Sequence, residues 1–129
     1  MAFAITEVAN PFPTAMWSPS VTKTYTDQSS GAQSAVDLTS AVFSAAKVII
    51  YIKTPPSATN VITATLQAGT GASCTNPVNI AQAIVTMVSG DTAMYIEMRG
   101  VYQGLFRSFI LTVTTSANSI VYDAQVDVC

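Results

Sequence analysis

From about residue 60 onward the chain repeatedly alternates apolar and polar side chains, the period-two pattern of strands with one buried face. The last two runs are the clearest. Phe109, Leu111 and Val113 alternate with Ser108, Ile110, Thr112 and Thr114. Ile120, Tyr122, Ala124, Val126 and Val128 then face opposite to Val121, Asp123, Gln125 and Asp127. Earlier, Ile62, Ala64, Leu66 and Ala68 mark one face of a strand over 61–68, and Met94, Ile96 and Met98 alternate with Tyr95, Glu97 and Arg99. Lys47 to Lys53 is apolar at both parities, which predicts a central strand covered on both sides and stopped by Pro55-Pro56-Ser57. Ile80, Ile84 and Val88 recur every four residues, as on a helix, but length and neighbours favour a strand over 80–88. A first strand is expected over 34–38 and a helical turn over 40–46.

The first thirty residues read differently. Pro11, Pro13 and Pro19 punctuate them, and Phe3, Phe12 and Trp17 are interleaved. Proline has no N–H to donate, so this stretch is an arm or an edge element rather than sheet interior. Its aromatics need a surface, on their own domain or on a neighbour; on composition, Phe3, Phe12 and Trp17 are the expected inter-subunit contact. Gln28-Ser29-Ser30-Gly31 is a turn leading into the globular part. The expected organisation is an N-terminal arm over 1–30 and one antiparallel β-sandwich of about eight strands over 31–129.

Composition supports this class. Val, Ile and Thr dominate while Leu is scarce, a bias that suits a pleated surface better than a helix. Charged residues are only 9% of a chain that is 50% hydrophobic, against roughly 25% charged in an average domain. Polarity comes from Ser and Thr instead. A surface so poor in charge is weakly defended against self-association, so much of it is expected to be covered in a symmetric assembly.

The same composition excludes several function classes. Lys23, Lys47, Lys53, Arg99 and Arg107 are scattered along a chain of net charge −2, so no phosphate-binding patch is legible and nucleic acid is not an expected partner. The longest apolar run, Val48 to Ile52, is far short of the ~20 residues that span a bilayer, and no membrane partner is expected. Met1 to Glu7 lacks the basic and apolar regions of a signal peptide, which predicts folding in a reducing cytoplasm. Cys74 and Cys129 are too few and too far apart for a zinc motif. They are either two thiols or a bridge closing after release into an oxidising medium.

No histidine is present, which removes the commonest general base and metal ligand. No phosphate-cradling glycine loop follows Gly69-Thr70-Gly71. Asp123 and Asp127 share one strand face and formally fit glycoside hydrolysis or Ca²⁺ binding. Alternation accounts for them more simply as the solvated face of a terminal strand, as it does for Asp91 and Glu97 beside a turn. The tyrosines fall in separate segments, so no sugar-stacking platform is legible. The expectation is a protein without catalytic residues, cofactor or metal.

Several segments together resemble small capsid decoration, or cement, proteins of tailed bacteriophages. They are Val36-Asp37-Leu38, the strand Lys47 to Lys53, Ala64-Thr65-Leu66-Gln67-Ala68, the run Tyr102-Gln103-Gly104-Leu105-Phe106-Arg107-Ser108-Phe109, and the final alternating strand. The resemblance implies a jelly-roll-like sandwich that binds the outer surface of the major capsid protein as a dimer or trimer. There it would stabilise the shell against internal DNA pressure, which places it on the virion. It carries no functional residues across. The alternative is a receptor- or glycan-binding module of a phage tail or fibre.

Overall fold

The computed structural model describes residues 21–129 apart from Ser40 and Ala93. The arm residues Phe3, Phe12 and Trp17 lie outside the described residues. What is described is all β. Strands β1 (Val21–Ser29), β2 (Gly31–Ala32), β3 (Val36–Asp37), β4 (Phe43–Ile52) and β5 (Asn60–Gly69) are followed by β6 (Val78–Met87), β7 (Met94–Phe106), β8 (Ser108–Thr115) and β9 (Val121–Val128). They pair antiparallel into a four-stranded sheet, order β1-β9-β4-β7, and a five-stranded sheet, order β2-β8-β5-β6 with β3 also on β8. Apart from the β5–β6 hairpin and the step from β2 to β3, each successive strand crosses to the other sheet. That interleaving makes the sandwich a jelly roll.

The alternating runs bury the residues that the pattern selects. Val48, Ile50 and Ile52 of β4 and Tyr122, Ala124, Val126 and Val128 of β9 face Ile62, Ala64 and Leu66 of β5 and Phe109, Leu111 and Val113 of β8 across one core. Phe43 packs edge-on against Phe109, ring centroids 5.9 Å apart, and tilted against Phe106 at 5.8 Å. Polar pins hold the loops. Buried Asn60 donates to the Asn118 carbonyl (2.9 Å) and accepts from the Ala117 N–H (3.1 Å), while buried Ser108 accepts from the Cys74 N–H (2.8 Å). Buried polar groups persist only when satisfied in this way.

The structure sharpens or corrects five local expectations. Residues 21–29, read as part of the arm, form edge strand β1, whose only buried residue is Tyr25. The turn read at 28–31 is the point where the chain passes between sheets, with Gly31 at φ 126°, a conformation costly for any residue with a Cβ. Where a helical turn was expected over 40–46, the chain is already in strand from Phe43, the start of β4. The central strand is covered on one side only: β4 lies between β9 and β7, but Ile49 and Tyr51 point outward and are half-buried. Residues 80–88 are strand up to Met87; Ile80 is buried whereas Ile84 and Val88 are exposed, so their four-residue recurrence has no helical meaning.

The two sides of the sandwich are closed differently. On one side β6 and β7 approach so closely that a Cβ on Gly100 would fall 1.7 Å from the Ile80 carbonyl oxygen, so only glycine fits. On the other side, edge strand β1 is interrupted by a bulge between Tyr25 and Gln28, with Asp27 at φ 50°. A bulge and a nearby lysine, Lys23, are standard protections of a free edge. β1 pairs with β9 so that Val21 stands opposite Val128, which brings both chain ends of the sandwich to the same end.

Candidate functional site

The two outer faces differ sharply in chemistry. Strands β5, β6 and β8 contain no charged residue. Register sets Thr114, Thr63 and Ile84 in one outward row, Thr112, Thr65 and Gln82 in the next, and Ile110, Gln67 and Asn79 in a third. The result is a surface of hydroxyls, amides and methyls, with Ile84 64% exposed near its edge.

Charge collects on the opposite face. Thr22, Asp127, Lys47 and Arg99 form one row across β1, β9, β4 and β7; Thr24, Gln125, Ile49 and Glu97 form the next; Asp123, Tyr51 and Tyr95 form the third. Lys47, Lys53 and Arg99, scattered in the sequence, are therefore interleaved here with acids. Glu97 accepts from Arg99 Nη2 at 2.9 Å with Lys47 at 4.0 Å, and Lys53 bridges Asp27 and Asp123. The surface alternates in sign and forms no cationic patch.

Three carboxylates, Asp37, Glu97 and Asp123, are held below their ordinary range. Hydrogen bonding by Arg99 keeps Glu97 below the usual carboxylate range, and the Asp27 backbone N–H, then Lys53, does the same for Asp123. Asp37, on β3, is lowered by a two-pronged bond from Arg107 (2.7 and 3.0 Å) and by the Thr39 N–H. Protonating such a group favours the unfolded chain, because each folded pKa lies below the unfolded one. Their stabilisation is complete above the ordinary values of 3.8 for Asp and 4.5 for Glu, and is lost as pH falls through the depressed ones. We expect the urea midpoint to be flat down to about pH 5 and to drop below it, with Asp37→Asn reducing the drop. A midpoint as high at pH 2.5 as at pH 7 would contradict this.

Tyr51 and Tyr95 are direct cross-strand partners with ring centroids 4.8 Å apart and planes 28° from parallel, and Tyr95 is 71% exposed. Beside them runs a shallow groove of about 230 Å³ lined by Thr24, Thr26, Ile49, Tyr51, Asp123 and Gln125. Asp127 accepts from Thr22 Oγ1 (2.8 Å) and from Gln125 Nε2 (3.1 Å), so Asp123 and Asp127 are engaged on this outer face with different partners. Among the described residues no group of three or more His, Cys, Asp or Glu side chains is placed to hold a metal ion.

Other reactive groups are shifted away from neutrality. Burial pushes the Tyr25 hydroxyl up to about 12, with Tyr122 adding to it, and burial also raises the Cys74 thiol. Thiolate and general-base chemistry need the opposite shift. Cys74 sits buried in the loop after β5, and Cys129 follows β9. A last exposed apolar feature is the bulge of β7, where Val101, Tyr102 and Leu105 stand in solvent before Phe106 returns to the core.

Sequence reasoning missed the tyrosine pair and the segregation of charge. The first depends on which strands pair. The second had a readable signal: in β4, β7 and β9 every charged residue falls at an outward parity, and 61–68, 78–87 and 108–115 carry none.

No protein family matches this chain, and no curated protein does. Among solved structures it is similar to the CBM22-1 xylan-binding domain of Paenibacillus barcinonensis Xyn10C, at 17% identity and TM-score 0.48 over 73% of this chain and 62% of that one. It is also similar to the CBM22-1–GH10 modules of Clostridium thermocellum endo-1,4-β-D-xylanase 10B, solved with xylohexaose (15%, TM-score 0.46, 73% of this chain and 19% of that). A third is the infectious bursal disease virus Gt strain structure (15%, TM-score 0.41, 84% and 31%). The chain thus spans less than two thirds of each of these proteins. Structural neighbours therefore include xylan-binding β-sandwich modules and a viral protein, and likenesses of this degree carry no functional argument.

Proposed function

We propose that this chain is a non-enzymatic structural protein of a virus particle, which adds to the outer surface of a capsid and stabilises the shell. The observation that carries the reading is the uncharged outer face of β5, β6 and β8. Interface cores are depleted of charge, because an ion moved out of water and left unpaired costs several kcal/mol. A face of Thr, Gln, Asn, Ile and Val can be covered without that cost. The charged face of β1, β9, β4 and β7 would keep its contact with water. The resemblance to capsid decoration proteins suggests the partner, the major capsid protein, and a homo-oligomer; the composition of the arm, not the resemblance, suggests residues 1–20 as the contact between subunits.

The test is to mix the purified protein with bare capsids and, separately, with whole host cells. Saturable binding to capsids at a fixed number of copies per shell is expected. Saturable binding to cells with none to capsids would overturn the reading in favour of a receptor- or glycan-binding module of a tail or fibre. Deleting residues 1–20 should weaken assembly and leave the sheet spectrum intact.

A further inference from the structure

The face turned away from the proposed shell contact has a feature that assembly does not use. Exposed aromatic rings are costly on a free surface, and a cross-strand pair accounts for only part of that cost. Tyr51 is shared between the stacked pair and the adjoining groove. Thr24 and Thr26 of β1 stand on the other side of that groove, with Asp123 and Gln125 of β9 between and Ile49 beside Tyr51 on β4.

We propose that this groove is a binding site for a neutral glycan, with a pyranose ring lying against Tyr51 and its hydroxyls bonded to Asp123 and Gln125. A pyranose presents an apolar face of C–H groups, which fits a tyrosine ring, and a rim of hydroxyl donors, which fits a carboxylate. Asp123 is already oriented: its Oδ1 accepts from the Asp27 N–H at 2.9 Å and from Lys53 at 3.3 Å. A carboxylate held in place pays less ordering cost on binding. Gln125 is likewise turned by its Nε2 bonds to Asp127, and its amide oxygen remains an acceptor. Asp123 is the one charged residue that lines the groove, and it is paired with Lys53, which suits a neutral hydroxyl-rich ligand better than an ion. The groove is shallow and open, so it suits units within a chain as well as ends. Tyr95 extends the aromatic surface one strand further.

The site does not rest on the capsid role, because the two faces are opposite. It is tested by titrating the isotope-labelled full chain with xylohexaose, cellohexaose and maltohexaose in separate series, following amide shifts. At millimolar sugar, at least one series should give saturable shifts at Thr24, Ile49, Tyr51, Asp123 and Gln125. Tyr51→Ala and Asp123→Asn, each first shown to be folded by its spectrum, should weaken binding by about tenfold or more. Tyr102→Ala, an exposed tyrosine beyond the groove, should not. Silence in all three series, shifts confined to other surfaces, or unchanged affinity in both groove variants would overturn the proposal. Capsid binding is measured separately and stays unaffected by any of these results.

Discussion

If the uncharged face is the proposed shell contact, Thr65→Lys is expected to lower capsid affinity by about 100-fold or more, with the variant still folded. Thr65 lies on β5, the strand flanked by β8 and β6, opposite Thr112 on one side and Gln82 on the other. It is at the middle of the uncharged face, where any partner that covers the face must cover it. A lysine there has no carboxylate on β5, β6 or β8 to pair with. It must therefore reach solvent through the contact or lose its hydration inside it. Folding itself is little affected, because Thr65 is only half-buried and loses one long bond, from Gln82 Nε2 at 3.2 Å. Surface changes of this kind usually cost within about 0.5 kcal/mol. Thr22→Lys, on the charged face, is the control and should bind as the parent does. Capsid co-sedimentation across a concentration series measures both, and equal affinities for Thr65→Lys and Thr22→Lys would remove the uncharged face as the contact.

Phe109→Ala has the largest expected effect on stability. The ring is fully buried at the start of β8, beside Ala68 on β5 and Val36 on β3, and meets Phe43 edge-on. Its neighbours in the ladder are too small or too rigid to fill the space. Phe→Ala at such a site costs about 3–5 kcal/mol, the transfer term plus that of the cavity left behind. For a domain of this size that lowers Tm by roughly 10–20 °C. Phe109→Leu keeps most of the volume and should recover more than half of the loss. Urea unfolding of the three proteins checks both statements; an alanine variant within 1 kcal/mol of the parent would mean that the core repacks.

How much of this was legible depends on the strand. Those with one buried face and a full alternation, 61–68, 108–114 and 120–128, were readable residue by residue, and the structure buries the parity that the pattern selects. Edge strand β1 was not, because Val21 to Ser29 buries a single residue, Tyr25, and among the described residues its backbone pairs with β9 alone. Without a second inward apolar residue there is no period to detect. The segment 80–88 was ambiguous because Ile84 and Val88 are apolar yet outward, which mimics a four-residue repeat. The double-sided run 47–53 suggested burial on both faces, whereas Ile49 and Tyr51 help form the exposed face around the groove. Tyr51 and Tyr95 meet only through the β4–β7 register, which neither segment encodes by itself.

The pairing of β1 with β9 has a mechanical consequence. Because Val21 and Val128 are opposite one another, anything pulling on the chain before the one and after the other applies its load at the same end of one ladder. The hydrogen bonds then carry the tension in turn, and β1 peels from β9 like a zipper at low force. A load pressed through the sheet faces is shared instead by the whole packed interior, which is nearly incompressible. The fold is weak as a tether and strong as a rivet.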